Sequence, residues 1–198
     1  MLEAVVQSFP THLFRCKWTV PLIVDLMQGP RRFADLVKSL GISRKVLSSK
    51  LSSLMVHGVV SVDEAGYRLT VKGLAIAELV KPLTSHVAPH VLAEVLKCKW
   101  SREILTTLRQ GSLYSAELVA AINGLSWKIA SDRLRKLCNH GLVEKTIHIN
   151  QAPIRVQYSL TPRGKLLAAW LTTHIQHDAH NHSPQKKDAR KPDICQTA

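Results

Sequence analysis

Apolar residues return along this chain at helical spacing in two places, and at matching positions. Leu47, Leu51 and Leu54 follow i, i+4, i+7 and leave Arg44, Lys45, Ser48, Ser49 and Ser52 on the other side. Ala130, Leu134 and Leu137 repeat the spacing and leave Trp127, Lys128, Ser131, Asp132 and Arg135. One apolar stripe and one polar face predict an amphipathic helix in each case. Ser43 and Ser126 stand where these helices should be capped, and Gly58 and Gly141 where they should stop. Val59-Val60 and Leu142-Val143 then open extended segments, answered by Arg68-Leu69-Thr70 and by Gln157-Tyr158-Ser159-Leu160-Thr161 as returning strands.

Upstream of each amphipathic helix the order is also the same. Thr19 and Ser101 are candidate N-caps for helices containing Pro21–Met27 and Ile104–Leu108, with Gly29 and Gly111 as terminators. A short helix follows, Phe33–Leu40 or Tyr114–Ile122, and then a turn containing Gly41 or Gly124. These are two copies of one unit. Cys16-Lys17-Trp18-Thr19 recurs 82 residues later as Cys98-Lys99-Trp100-Ser101. One inserted residue later, Lys45, Ser48, Leu51, Leu54 and Gly58 match Lys128, Ser131, Leu134, Leu137 and Gly141. Tyr67 and Gly73 then match Tyr158 and Gly164.

Helix, helix, turn, helix, hairpin is the plan of a winged helix-turn-helix. The expected fold is therefore mainly α with small β-hairpin wings (α+β), in tandem. We divide it as a first unit at 1–80, a linker at 81–93, a second unit at 94–175 and a disordered tail at 176–198. Leu74–Val80 reads as a helix that Pro82 and Pro89 interrupt, which argues against a continuous rigid linker.

The residues that carry this plan resemble a known family. They are Lys17-Trp18-Thr19, the run Gly29–Leu36 and the run Gly41–Leu51 in the first copy. In the second they are Lys99-Trp100-Ser101, Arg133–Val143 and Arg155–Gly164. Over residues 12–80 and 94–172 the chain is similar to the HxlR-type winged-helix transcriptional regulators, relatives of the MarR group. The resemblance implies sequence-specific binding of double-stranded DNA. Such regulators usually carry one unit and form dimers through terminal helices, presenting two recognition helices to a near-palindromic site. Here the candidates for that interface, and for a homodimer, are Leu74–Val80, Val91–Leu96 and Leu166–Ile175. Fusion of two diverged units leaves open a single-chain pseudo-dimer or a four-unit assembly of two chains.

Charge agrees with a nucleic-acid partner. Lys and Arg number 27 against 14 acids, a net +13, so a polyanion is the expected ligand. The N-terminal residues of each third helix should lie nearest base edges: Arg44, Lys45, Ser48 and Ser49, and Trp127, Lys128, Ser131 and Arg135. Trp127 either meets a thymine methyl or folds back on the turn. Lys50 and Arg133 occupy equivalent places suited to phosphate. The wings differ, the first being short with Asp63 and Glu64 at its tip. The second is long and offers Lys145, His148 and Arg155, the last suited to a minor groove or its phosphates. Residues 126–170 hold eight Lys or Arg against two acids, whereas 43–73 hold five against two.

The remaining features argue mostly for structure. Trp18 and Trp100 are read as core anchors, and Cys16 and Cys98 as small thiols beside them. Some members of the resembled family sense oxidants through a cysteine, which is the other reading of that pair. His174, His177, His180 and His182 lack a completed ligand set and are read as part of a solvated tail, with no metal site. No phosphate loop, metal motif or nucleophile elbow is present, so neither catalysis nor a cofactor is expected, and nothing names an effector. No apolar run approaches a membrane span, the N-terminus does not read as a signal peptide, and the four cysteines contain no C-x-x-C pair. A cytoplasmic, nucleoid-associated regulator is the expectation. The alternative is a tandem winged-helix adaptor for protein interaction or chromosome organisation.

Overall fold

The computed structural model describes residues 10–149 and 155–175. A 3-10 turn (Thr11–Arg15) leads into α1 (Thr19–Leu26), α2 (Phe33–Leu40) and α3 (Arg44–Val56). The first hairpin, β1 (Val60–Asp63) and β2 (Gly66–Leu69), is followed by α4 (Val71–Thr84). Helix α5 (Pro89–Leu96) spans the expected linker boundary at 93 and leads into the second unit, which runs α6 (Lys99–Leu108), β3 (Leu113–Tyr114), α7 (Ser115–Ala121) and α8 (Trp127–Asn139). It ends with β4 (Val143–His148), β5 (Arg155–Leu160) and α9 (Pro162–His174). Among the described residues no helix is long and apolar enough to cross a membrane.

The third helices stop where the glycines fall, through the same pair of hydrogen bonds. Gly58 and Gly141 adopt left-handed φ values of 66° and 65°, which an L side chain rarely takes. Their N–H groups donate to Met55 and Cys138. The next residues, Val59 and Leu142, donate back to Leu54 and Leu137. This closes the orphan carbonyls of each helix end and swings the chain into the wing.

Each wing hands over to its final helix through a threonine and a glycine. Thr70 and Thr161 cap α4 and α9 by accepting from the N–H of Gly73 and Gly164, both at 3.1 Å. Their hydroxyls donate to the carbonyls of Gly58 and Gly141, at 2.6 and 2.7 Å. A side chain on Gly73 or Gly164 would drive its Cβ into the carbonyl oxygen of Val59 or Leu142. The glycines are there for close approach.

Three local expectations are corrected. Thr19 and Ser101 are not caps: α1 starts at Thr19 behind Trp18, and α6 at Lys99 behind Cys98. Both residues are buried, and the Thr19 hydroxyl donates to the Leu13 carbonyl at 2.8 Å. The helices begin earlier because Trp18 and Trp100 pack against the core at their entry, each with a lysine ammonium about 5 Å above the ring. Pro82 does not break its helix, since α4 continues to Thr84 with Val80 and Leu83 buried on either side of it. That packing offsets the cost of about 3 kcal/mol for an interior proline. A third strand, β3, pairs with β5 in the order β3-β5-β4, and its counterpart in the first unit is a single bridge between Arg31 and Tyr67.

The two units share one hydrophobic core. Val91, Leu92, Ala93, Val95 and Leu96 of α5 are all buried, against α1, α4, α6 and the 3-10 turn. Further along, α9 packs on α6, and Trp170 Nε1 donates to the Leu79 carbonyl of α4 at 2.9 Å.

Gly164→Ala should lower stability by about 1–3 kcal/mol through overpacking, although alanine in a helix ordinarily gains about 1 kcal/mol over glycine. Urea unfolding checks this: a lower midpoint with an unchanged slope is expected, and a raised midpoint would refute the close-approach account.

Candidate nucleic-acid interface

Helix α3 buries Leu47, Leu51 and Leu54 and exposes Arg44, Lys45, Ser48, Ser49 and Ser52, with Lys50 half-buried at its flank. Among the described residues none of its three cations is in an ion pair, so the first helix offers a small but unneutralised positive charge. Ser43 sits at its N-cap position without a side-chain cap bond, whereas Ser126 caps α8 by accepting from the Ile129 N–H.

Helix α8 buries Ala130, Leu134 and Leu137 and exposes Lys128, Ser131 and Arg135. Trp127 is 59% exposed in the first turn, so its indole projects outward instead of folding back onto the turn. The feature that sequence reasoning missed is the behaviour of Asp132. Its carboxylate accepts from Arg135 at 2.9 Å and is approached by Lys136 at 3.4 Å and Arg133 at 3.7 Å. The Arg135 hydrogen bond and the neighbouring cations hold Asp132 below the usual carboxylate range, so it is ionised at neutral pH. Arg133 is half-buried, with its Nε buried and unpartnered and its outer nitrogen turned to Asp132. A count of basic residues therefore overstates the free charge on α8. The spacings of three and four residues in Asp132–Arg135 and Asp132–Lys136 were the available signal.

The wings differ in geometry as well as length. In the first, Asp63 pairs with Arg68 at 3.1 Å and accepts from the Ala65 N–H at 3.0 Å, so one of its two tip acids closes the turn. In the second, Lys145 lies opposite Tyr158 and Arg155 opposite His148. The Arg155 guanidinium lies 5.5 Å above the ring of Tyr114, which belongs to β3. His148 meets the edge of the same ring and hydrogen-bonds Gln157 at 3.0 Å. Arg155 is thus braced at the side of the sheet. Ile147 stands exposed on the same side of β4 as Lys145, and Ile149 is exposed just beyond the end of that strand.

Cys16, Cys98 and Cys138 are free and half-buried, and Cys16 Sγ accepts from the Trp18 N–H at 3.5 Å. Burial pushes the Cys138 thiol up, away from the reactive thiolate. His174 stacks on Trp170 with ring centres 4.6 Å apart. Among the described residues no three His, Cys, Asp or Glu side chains gather as a metal site. His177, His180, His182, Cys195 and the tail at 176–198 lie outside the described residues.

Comparison with known proteins matches the same two segments. The model of the HxlR-like helix-turn-helix family matches residues 13–93 and again 95–186. The chain is 38% identical over 84 residues to the uncharacterised HTH-type transcriptional regulator sll1512 of Synechocystis, covering 41% of this chain and 61% of that protein. It thus spans less than two thirds of that relative. It is 37% identical over 75 residues to the uncharacterised HTH-type transcriptional regulator YvaP of Bacillus subtilis, covering 38% of this chain and 68% of that one. Among solved structures it is similar to a MarR-family transcriptional regulator of Porphyromonas gingivalis, at 30% identity and a TM-score of 0.40, covering 44% of this chain and 85% of that one.

Asp132→Asn should release the cations that share its carboxylate. The variant is expected to elute from a heparin column at higher salt than the parent chain; elution at the same salt would show that Arg135 and Lys136 are already free to bind a polyanion.

Proposed function

The chain belongs to the HxlR-like helix-turn-helix family, and from that premise we propose that it regulates transcription by binding double-stranded DNA sequence-specifically. In this reading α3 and α8 enter the major groove, and the second wing holds phosphates or the adjacent minor groove. The observation that carries it is the repeated third helix: three buried apolar residues on one side, and a polar, basic face left outward at matched positions in both units. An α-helix with its side chains is about 10–12 Å across and fits a major groove about 12 Å wide.

The contacts follow from donor chemistry. Arg44, Lys45, Lys128 and Arg135 supply donors for guanine, and Ser48, Ser49 and Ser131 give adaptable hydrogen bonds. The outward indole of Trp127 suits a thymine methyl. Lys50 at the flank of α3 suits a phosphate, and so does Arg133 once Asp132 engages a base. Lys145 and Arg155 supply the wing's grip, with Tyr114 fixing the direction of the Arg155 guanidinium. Phosphate contacts give affinity and salt dependence, whereas the base-facing side chains give sequence preference.

Titration of an enriched duplex against salt tests the reading. Affinity should fall steeply, with a log–log slope of about −0.9 per phosphate neutralised. At fixed salt, Arg155→Ala should weaken binding in a gel shift more than any single change between residues 59 and 67; comparable losses would overturn the assignment of the second wing. No binding to duplex DNA at about 50–100 mM salt would instead support a protein-binding adaptor.

A further inference from the structure

We infer that one chain acts as its own dimer on DNA, binding as a single molecule to an asymmetric site of two unlike half-sites in one fixed direction. This rests on the DNA-binding reading above and adds the symmetry, stoichiometry and polarity of the target.

Two contacts between the units join matched parts of the repeat, alongside packing of α1 and α4 on α5 that joins unmatched ones. Trp170 and Leu79 are counterparts, 91 residues apart like Tyr67 and Tyr158 or Gly73 and Gly164. They meet through the bond from Trp170 Nε1 to the Leu79 carbonyl. The 3-10 turn, with Leu13 and Phe14 buried, packs on α5, whose Val95 and Leu96 lie 82 residues further along. Contact between a position and its own counterpart is the mark of a two-fold interface, where elements near the axis meet their mates. Here that two-fold is approximate and both sides belong to one chain.

Much of the apolar surface of those helices is buried within the chain. Val80 and Leu83 of α4, Leu92 and Leu96 of α5, and Leu167 and Leu171 of α9 are all buried within the single chain. The helices named above as candidates for pairing with a second copy are therefore covered over most of their apolar residues, Leu74 at the start of the first remaining 52% exposed. One molecule presents two reading helices without a partner.

The two reading helices are not equivalent. Arg44 is matched by Trp127, Ser49 by Asp132, Ser52 by Arg135 and Ser53 by Lys136. A carboxylate accepts from the exocyclic amine of cytosine, and arginine donates in pairs to guanine. Asp132 and Arg135 therefore direct the second unit to a half-site containing G·C pairs. The serines of α3 discriminate less. The wings add to the difference: Glu64 stands at the exposed tip of the first, and Lys145 and Arg155 on the second. Unlike heads on one rigid core give a site with a beginning and an end.

Selection of bound fragments from random duplex DNA by the full chain, followed by native mass spectrometry of the complex, tests this directly. One 22.0 kDa chain per duplex and two dissimilar half-sites are expected. Replacing the second unit's half-site by an inverted copy of the other should weaken binding by at least about tenfold, since each mismatched pair costs about that much. Arg135→Ala should relax selection over one half-site only. A palindromic consensus, two chains on each duplex, or equal affinity for the inverted-copy site would overturn the inference while leaving the DNA-binding reading intact. Failure to enrich any sequence at low salt would overturn that reading as well.

Discussion

A helix that is apolar around more than half of its circumference cannot rest at a surface, and α5 is such a helix. Val91, Leu92, Ala93, Val95 and Leu96 point in five directions, leaving only the side of His90 and Glu94 for water. Neither unit can cover it alone, so α1 covers it from the first and α6 from the second. Each fully buried leucine or valine contributes about 1.5–3 kcal/mol, so the two units are held by an interior and not by a tether. Everything that positions the site follows from that interior. The third helices pack on it through three residues each, and the wings are tied to it through the Thr70–Gly73 and Thr161–Gly164 turns.

The candidate interface is made of what the interior leaves over, and its electrostatics are set locally. The first unit keeps Arg44, Lys45 and Lys50 out of ion pairs beside a wing whose Asp63 is consumed by its own turn. The second places more cations on its helix but gathers three of them on Asp132. Such an arrangement lowers the attraction for any polyanion in general. Only a target that satisfies the carboxylate as well as the cations recovers the full interaction, which is how charge is turned into selectivity.

Much of this was legible in the sequence, for physical reasons that apply at particular residues. Leu47, Leu51 and Leu54 were readable because helical periodicity is a property of spacing alone, and Gly58 and Gly141 because few other residues tolerate the left-handed turn. Phe33–Leu40 runs as the pattern predicts. What stayed hidden depends on partners distant in the chain. Tyr114 reaches Arg155, 41 positions further along, and two-residue β3 is too short to show alternation. The burial of α5 and the course of α4 through Pro82 are decided by packing that no local propensity encodes. Asp132 was visible as an outward acid, yet three cations had to be placed in space before its role could be seen.

The bond between Trp170 and Leu79 joins two versions of one position that have become different residues. In an assembly of identical chains every substitution is made twice, so a change that improves one head alters the other as well. Here the indole donates and the matching position offers only its backbone, a division of labour closed to identical copies. The same freedom extends to α3 and α8. Each head is able to drift toward its own target one substitution at a time, while the interior that holds both is preserved.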